Sequence, residues 1–447
     1  MHNLSILSVV SLSLLLFFHG AEARQQETPF SNACHFSLIN SLRPAQAIKY
    51  EAGQMEVWDH MSPELRCAGV TVARITIQPN SIFLPSFFSP PALAYVVQGE
   101  GVMGTIAPGC PETYQEVEGL GGGEDMRRRF EDMHQKLENF RRGDVFALLA
   151  GVSQWWYNRG NSDVVIVIVL DVTNRENQLD QTPRMFHIAG STKQEEEEPL
   201  TWPSGNNAFD GLDPNIIAEA FKIDIELAKQ LKNQKSNKGN VIRANGPLHF
   251  AIPRPRKWQQ DDIVNGIEET YCTARLHENI DDPERSDFFS SRAGRISTLD
   301  SLNLPVLRRL RLNAVRGVLY SGGMVLPQWT ANANTVLYAT GGEAKIQVVA
   351  DNGQSVFNEQ VGQGQVLVIP QGFMVVKTAG ETGFEWTSFK TNDHAYVNTL
   401  SGETSYLRAV PLDVIKAAYG VSEEEAKRVK FSQQETMLAM SSSNPSP

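Results

Sequence analysis

The hydrophobic positions of this chain fall into short runs. Val70 to Ile77, Ala92 to Val97, Val164 to Val172, Val336 to Val349 and Gln365 to Val376 are rich in Val, Ile and Tyr and are bounded by Gly, Pro and Asn. Such patterning predicts antiparallel strands gathered into a barrel or sandwich. Two short helices follow each set of strands. Ser422 and Glu425 are spaced as a capping box in front of the last of them, and Asp224 supplies the corresponding N-cap earlier in the chain.

The pattern occurs twice. Tyr95 and its neighbours answer Tyr338 and its neighbours at an offset of 243 residues, and Gly143 answers Gly364 at 221. Ile217, Ala220, Phe221, Ile223, Glu226, Ala228 and Lys229 answer Ile415, Ala418, Tyr419, Val421, Glu424, Ala426 and Lys427 at 198. An internal repeat fixes the architecture before any motif is considered: a mostly β protein of two tandem units, each followed by a small helical extension. The falling offset places insertions of 22 and 23 residues in the first copy. One lies between Cys110 and Arg142 around Gly121 to Gly123, the other between Thr192 and Asn207 around Glu195 to Glu198. Polar insertions of this kind belong on exposed, protease-accessible loops, where water satisfies the backbone.

Residues 1–23 read as a secretory signal peptide, with an apolar run through Leu14 to Phe18 and a small-residue ending, so that cleavage falls between Ala23 and Arg24. The four cysteines, Cys34, Cys67, Cys110 and Cys272, then meet an oxidising lumen. Two disulfides are expected, and the sequence leaves three pairings open. A formal net charge of −11 without a clustered basic face argues against nucleic acid or an anionic membrane as a partner.

The tandem barrels, with Gly99-Glu100-Gly101 at a strand turn and Pro370-Gln371-Gly372 further on, resemble the bicupin superfamily, whose units are jelly-roll barrels. Metal-binding cupins carry H-x-H-x-x-x-x-E on one strand and a further His after P-x-G, so that three imidazoles and a carboxylate converge inside the barrel. The matching positions here are Ser86, Phe88, Leu93 and Gln154 in the first copy, and Gln328, Thr330, Thr335 and Val375 in the second. Hydroxyls, amides and hydrocarbon are not the donor set of a catalytic metal, so neither cofactor nor catalytic residue is expected. No Walker loop, G-x-S-x-G or C-x-x-C is present. Two rival readings are a metal-dependent oxidase on the same barrels and a small-ligand binder walled by Trp155 and Trp156.

Between the copies, Asn265-Gly266-Ile267-Glu268-Glu269-Thr270-Tyr271-Cys272 is similar to the processing junction of legumin-type 11S globulins. Glu51-Ala52-Gly53, Pro108-Gly109-Cys110-Pro111-Glu112-Thr113, Ala293-Gly294-Arg295-Ile296-Ser297-Thr298 and Phe389-Lys390-Thr391-Asn392 extend the resemblance over nearly the whole mature chain. It implies a seed storage protein, not an enzyme. It also implies Cys34 paired with Cys67, Cys110 paired with Cys272, and cleavage between Asn265 and Gly266 by an asparaginyl endopeptidase. Self-association into trimers, and into hexamers after cleavage, and deposition in the protein storage vacuole complete the expectation. One departure stands out: residues 266–447 carry 16 Lys plus Arg against 20 Asp plus Glu, where the family's second chain is usually basic.

The expected organisation is a signal peptide over 1–23 and an N-terminal cupin unit with helical extension over 24–245. A linker with the processing site over 246–285 follows, then a C-terminal cupin unit over 286–435 and a flexible tail over 436–447.

Overall fold

The computed structural model describes residues 34–117, 130–191, 202, 205–232, 239–251 and 272–441, with backbone alone at 115–117 and 130–131. Cys34 and His35 belong to a separate N-terminal unit, and the description below concerns the chain from Phe36 onward. The signal cleavage positions Ala23 and Arg24, the junction Asn265 and Gly266, and the acidic run of the second insertion lie outside the described residues.

Two jelly-roll barrels follow one another, as the repeat requires. In the first, one sheet centres on Val164–Asp171, flanked by Val70–Ile77 and Ala92–Gln98; the other centres on Ser153–Asn158, flanked by Glu100–Ile106 and Ser81–Phe88. Val70–Ile77 pairs with Val164–Asp171 along its full length. Both faces of this sheet are covered: Val70 and Val72 pack outside the barrel, while Ala73, Ile75 and Ile77 pack inside. That double burial is why the central strand reads as an unbroken apolar run from Val164 to Leu170 instead of an alternating one.

In the second barrel, Thr335–Val349 and Met374–Lys390 are long enough to run through both faces, and they join eleven strands into one sheet. The bend falls at Gly342, at φ +65°, where a Cβ would stand 2.2 Å from the Gly383 carbonyl oxygen. Gly99, its partner at the 243-residue offset, turns at φ +87°. Only glycine occupies such positions without strain.

A shared core joins the barrels. Leu93, Tyr95 and Val145 of the first meet Val336, Tyr338 and Val368 of the second, with Leu304, Leu307, Leu310 and Leu312 wedged among them. Each fully buried leucine contributes roughly 2 kcal/mol. Beside this core lies an ionic cluster. Arg316 is 1% exposed, and it bonds Asp281 at 3.0 Å as well as Glu385. Arg142 of the first barrel reaches the same Glu385 at 3.0 Å, so the cluster spans both units.

The barrels also exchange strands. Ser41–Leu42 pairs with Val366–Leu367 in the second barrel, and His277–Asn279 pairs with Asp144–Phe146 in the first. Residues 277–279, expected within a linker, are thus part of a sheet; three residues bounded by charge are too short to show a strand period. The tail is likewise structured at its start. Leu438–Met440 pairs with Gly323–Val325, and Met437 and Leu438 are buried. The first insertion is not all loop either, because Tyr114–Val117 and Phe130–His134 pair as a hairpin.

The helices Pro214–Phe221, Ile225–Lys232, Leu412–Tyr419 and Glu423–Phe431 close the two copies as predicted. Ser422 and Glu425 form the reciprocal capping box, and the Asp224 carboxylate accepts from the amides of Glu226 and Leu227 at 3.0 and 2.9 Å.

Candidate functional site

In the first barrel the position that would bear a metal ligand is plugged. Ser86 and Gln154 face each other across neighbouring strands, 0% and 2% exposed. A register shift between Gln154 and Trp156, opposite Leu84-Pro85, sets Ser86 and Phe88 inward. Phe88 packs edge-on against Trp202 at 6.3 Å, and Phe140, Phe146 and Trp156 fill the interior with centroids 5.0 to 6.5 Å apart. His187 pairs with Ser86, but burial pushes its imidazole down to about 4 against the help of Asn240, so the ring is neutral at physiological pH.

Leu93 is not part of this group. It packs in the core between the barrels, facing away from Ser86. The inward residue is Ala92, which the 243-residue offset sets against Thr335. The turn Ser89-Pro90-Pro91 is one residue shorter than its counterpart from Ala331 to Asn334, and a step of one residue flips a strand position to the other face.

The second barrel differs, because it is hollow. A cavity of about 250 Å³ is lined by all four expected positions, Gln328, Thr330, Thr335 and Val375. Val375 pairs with Gln328 across the strands, and the Thr330 and Thr335 hydroxyls stand 3.4 Å apart. Two further residues on the wall went unnoticed in the sequence: Lys377 and Lys390, 4% and 6% exposed. Both lie at inward register, Lys377 two residues beyond Val375 and Lys390 two beyond Ser388, and the period of two was the available signal. Lys390 donates to Thr330 Oγ1 at 3.0 Å, and Lys377 Nζ stands 5.4 Å from the Trp386 ring centroid. Burial pulls the Lys377 ammonium down to about 8; burial, and then the charge of Lys377, pulls Lys390 down to about 7.

A metal does not fit either lining. Neither presents a set of imidazoles and carboxylates, and among the described residues no group of three or more His, Cys, Asp or Glu is placed to hold an ion. Ammonium groups inside the second barrel repel a cation outright.

Trp155 and Trp156 do not form one wall. Trp156 is buried in the first barrel's core, while Trp155 lies against Phe250 at 5.3 Å on the other face of the strand. No cysteine among the described residues is free. Cys110 and Cys272 are joined with their Cα atoms 5.5 Å apart, and Cys34 and Cys67 are each disulfide-bonded. No described helix is long and apolar enough to cross a membrane.

Two jelly-roll units in tandem define a bicupin, one with a packed interior and one hollow, and among the described residues neither lining carries a ligand set for a metal. The Cupin family matches residues 39–194 and 278–427, one stretch in each copy. The 12S seed storage protein CRD of Arabidopsis thaliana is 83% identical over 451 residues, covering 100% of both chains. Procruciferin, an 11S globulin from Brassica napus, superposes with a TM-score of 0.83 at 47% identity, covering 94% of this chain and 100% of that one. Pumpkin seed globulin gives 0.80 at 42% identity, covering 91% or more of each chain. The chain belongs to the legumin-type 11S globulins, a family of seed storage proteins and not of enzymes.

Proposed function

We propose that this protein is a nitrogen and amino-acid reserve of the seed, broken down by proteolysis at germination. The observation that carries this reading is the pair of barrel interiors, neither with a donor set for catalysis, in a chain 83% identical to a named seed storage protein. The signal segment 1–23, cleaved between Ala23 and Arg24, would route the chain through the secretory pathway to the protein storage vacuole.

There an asparaginyl endopeptidase would cut between Asn265 and Gly266. The Cys110–Cys272 bond and the strands exchanged between the barrels would then hold the two products together, with Cys34 bonded to Cys67 in the first. Self-association into trimers, stacking into hexamers after the cut, allows dense deposition. Seed extract run on non-reducing and reducing gels tests the scheme. One band is expected without reductant and two with it, with the second product beginning at Gly266 by N-terminal sequencing. A single band under both conditions would refute the cleavage.

A further inference from the structure

We propose that Lys390 is a site of covalent carbonyl capture: its Nζ, on the wall of the second barrel's cavity, forms an imine with a small aliphatic aldehyde. Storage requires no such site, so the inference stands apart from the reserve function.

Two amines stand in an otherwise uncharged wall. Lys377 and Lys390 are buried, and no other residue of the lining carries a basic or acidic group. Neither has an acidic partner among the described residues: Lys390 has the Thr330 hydroxyl, and Lys377 has the face of Trp386. The placement belongs to this barrel alone. Lys390 pairs with Thr335, whereas in the first barrel Leu170 pairs with Ala92, the residue matched to Thr335. Two residues beyond Gln154, where Lys377 follows Val375, the first barrel has Trp156. One copy thus fills with hydrocarbon the places where the other sets amines beside open space.

A lysine becomes a nucleophile when an apolar site and a neighbouring cation strip its proton. Both conditions hold at Lys390, which burial and the charge of Lys377 bring from 10.5 down to about 7. About half of it is then free amine near neutrality, when an ordinary lysine is almost wholly protonated. In the reaction the Nζ lone pair forms a C–N bond to the carbonyl carbon, and the C=O π electrons move to oxygen. A proton passes from nitrogen to that oxygen, giving a carbinolamine. The hydroxyl then leaves as water with a proton from the Lys377 ammonium, the nitrogen gives up its remaining proton to restore that ammonium, and C=N is left. Aldehyde and amine become imine and water, with nothing oxidised or reduced.

The lining suits each stage. Gln328 Oε1 and Asn313 Oδ1, acceptors without partners on the same wall, match the hydroxyl donor of the carbinolamine. Ile369, Phe373, Val397 and Met437 supply apolar surface for an aliphatic tail. The product also relieves the burial of an ammonium, because an imine is far less basic than an amine.

The test is reductive trapping. The full chain is incubated with hexanal and sodium cyanoborohydride at pH 7, and its proteolytic peptides are followed in time by mass spectrometry. Lys390 is expected to be alkylated about tenfold or more faster than the exposed Lys345, and the preference should vanish in chain unfolded in urea. Lys377→Met should slow the labelling of Lys390, since the neighbouring charge that favours its free amine is gone. Labelling of Lys390 no faster than Lys345 in the folded protein would overturn the proposal, as would a preference for Lys377 or one that survives unfolding. The comparison of folded with unfolded chain needs no variant. None of these outcomes bears on the gel test of processing.

Discussion

Replacing both cavity lysines by methionine, Lys377→Met with Lys390→Met, should make the protein more stable at pH 6 and leave it little changed above pH 10. A base whose pKa is lower in the folded state than in the unfolded chain binds fewer protons when folded. Stability therefore rises with pH between the two values, and below the folded value the whole penalty is present. Here the folded values are about 8 and about 7 against 10.5, so the window runs from pH 7 to 10.5. At about 1.4 kcal/mol per pKa unit, the penalty at pH 6 is roughly 3 kcal/mol for Lys377 and roughly 5 kcal/mol for Lys390, the latter including repulsion between the two.

The hydrogen bond from Lys390 to Thr330 is lost in the variant, at a pH-independent cost of about 1 to 2 kcal/mol. On the order of 6 kcal/mol remains in favour of the variant at pH 6. With an unfolding entropy of about 2.1 cal/mol/K per residue, that is a rise of about 1 °C per kcal/mol for a chain of this size, or roughly 6 °C. Differential scanning calorimetry of both proteins from pH 6 to 10.5 reads it directly. A difference in Tm that stays constant with pH, or a wild type more stable at pH 6, would show that the ammoniums are already compensated.

The other predictions concern the joint between the barrels. Arg316→Met should lower stability by about 3 to 5 kcal/mol in guanidinium unfolding, because Glu385 and the Gly317 and Trp386 carbonyls lose a buried partner; a loss under about 1 kcal/mol would mean that Arg142, and Arg295 which also bonds Asp281 at 3.1 Å, suffice for the cluster. Leu93→Ala should cost about 2 to 5 kcal/mol in the same assay as a cavity opens in the shared core; a neutral result would contradict the placement of Leu93 outside the barrel. In cleaved protein, reducing Cys110–Cys272 without denaturant should leave the two products co-eluting on size exclusion, and separation by reductant alone would show that the exchanged strands do not hold them.

The repeat carried most of the architecture, because a duplicated fold preserves its apolar spacing where little else needs to persist. Strand positions such as Val70–Ile77 followed from the apolar runs themselves, and the capping box at Ser422 from its spacing to Glu425. Leu93 was misplaced because motif counting crossed a turn shortened by one residue, and period-two structure turns one residue into the opposite face. His277–Asn279 and Leu438–Met440 escaped notice for another reason: their pairing lies in partners far along the chain, and three residues hold no period of their own. Lys377 and Lys390 were legible in principle by counting in twos from Val375 and Ser388, but a charged residue inside a barrel runs against the expectation that lysine is exposed.

The crossing of the two edge strands also bears on how the chain is made. Asn279, which seals the outer edge of the first barrel by bonding Asp144 at 2.7 Å, lies 135 residues downstream of it. During synthesis the first barrel must wait with that edge bare until the ribosome has delivered the segment, and an uncapped edge invites pairing with neighbouring nascent chains. Maturation should therefore depend on chaperones that shield β-edges until late in translation, and a chain terminated before His277 should aggregate even though its own barrel sequence is complete.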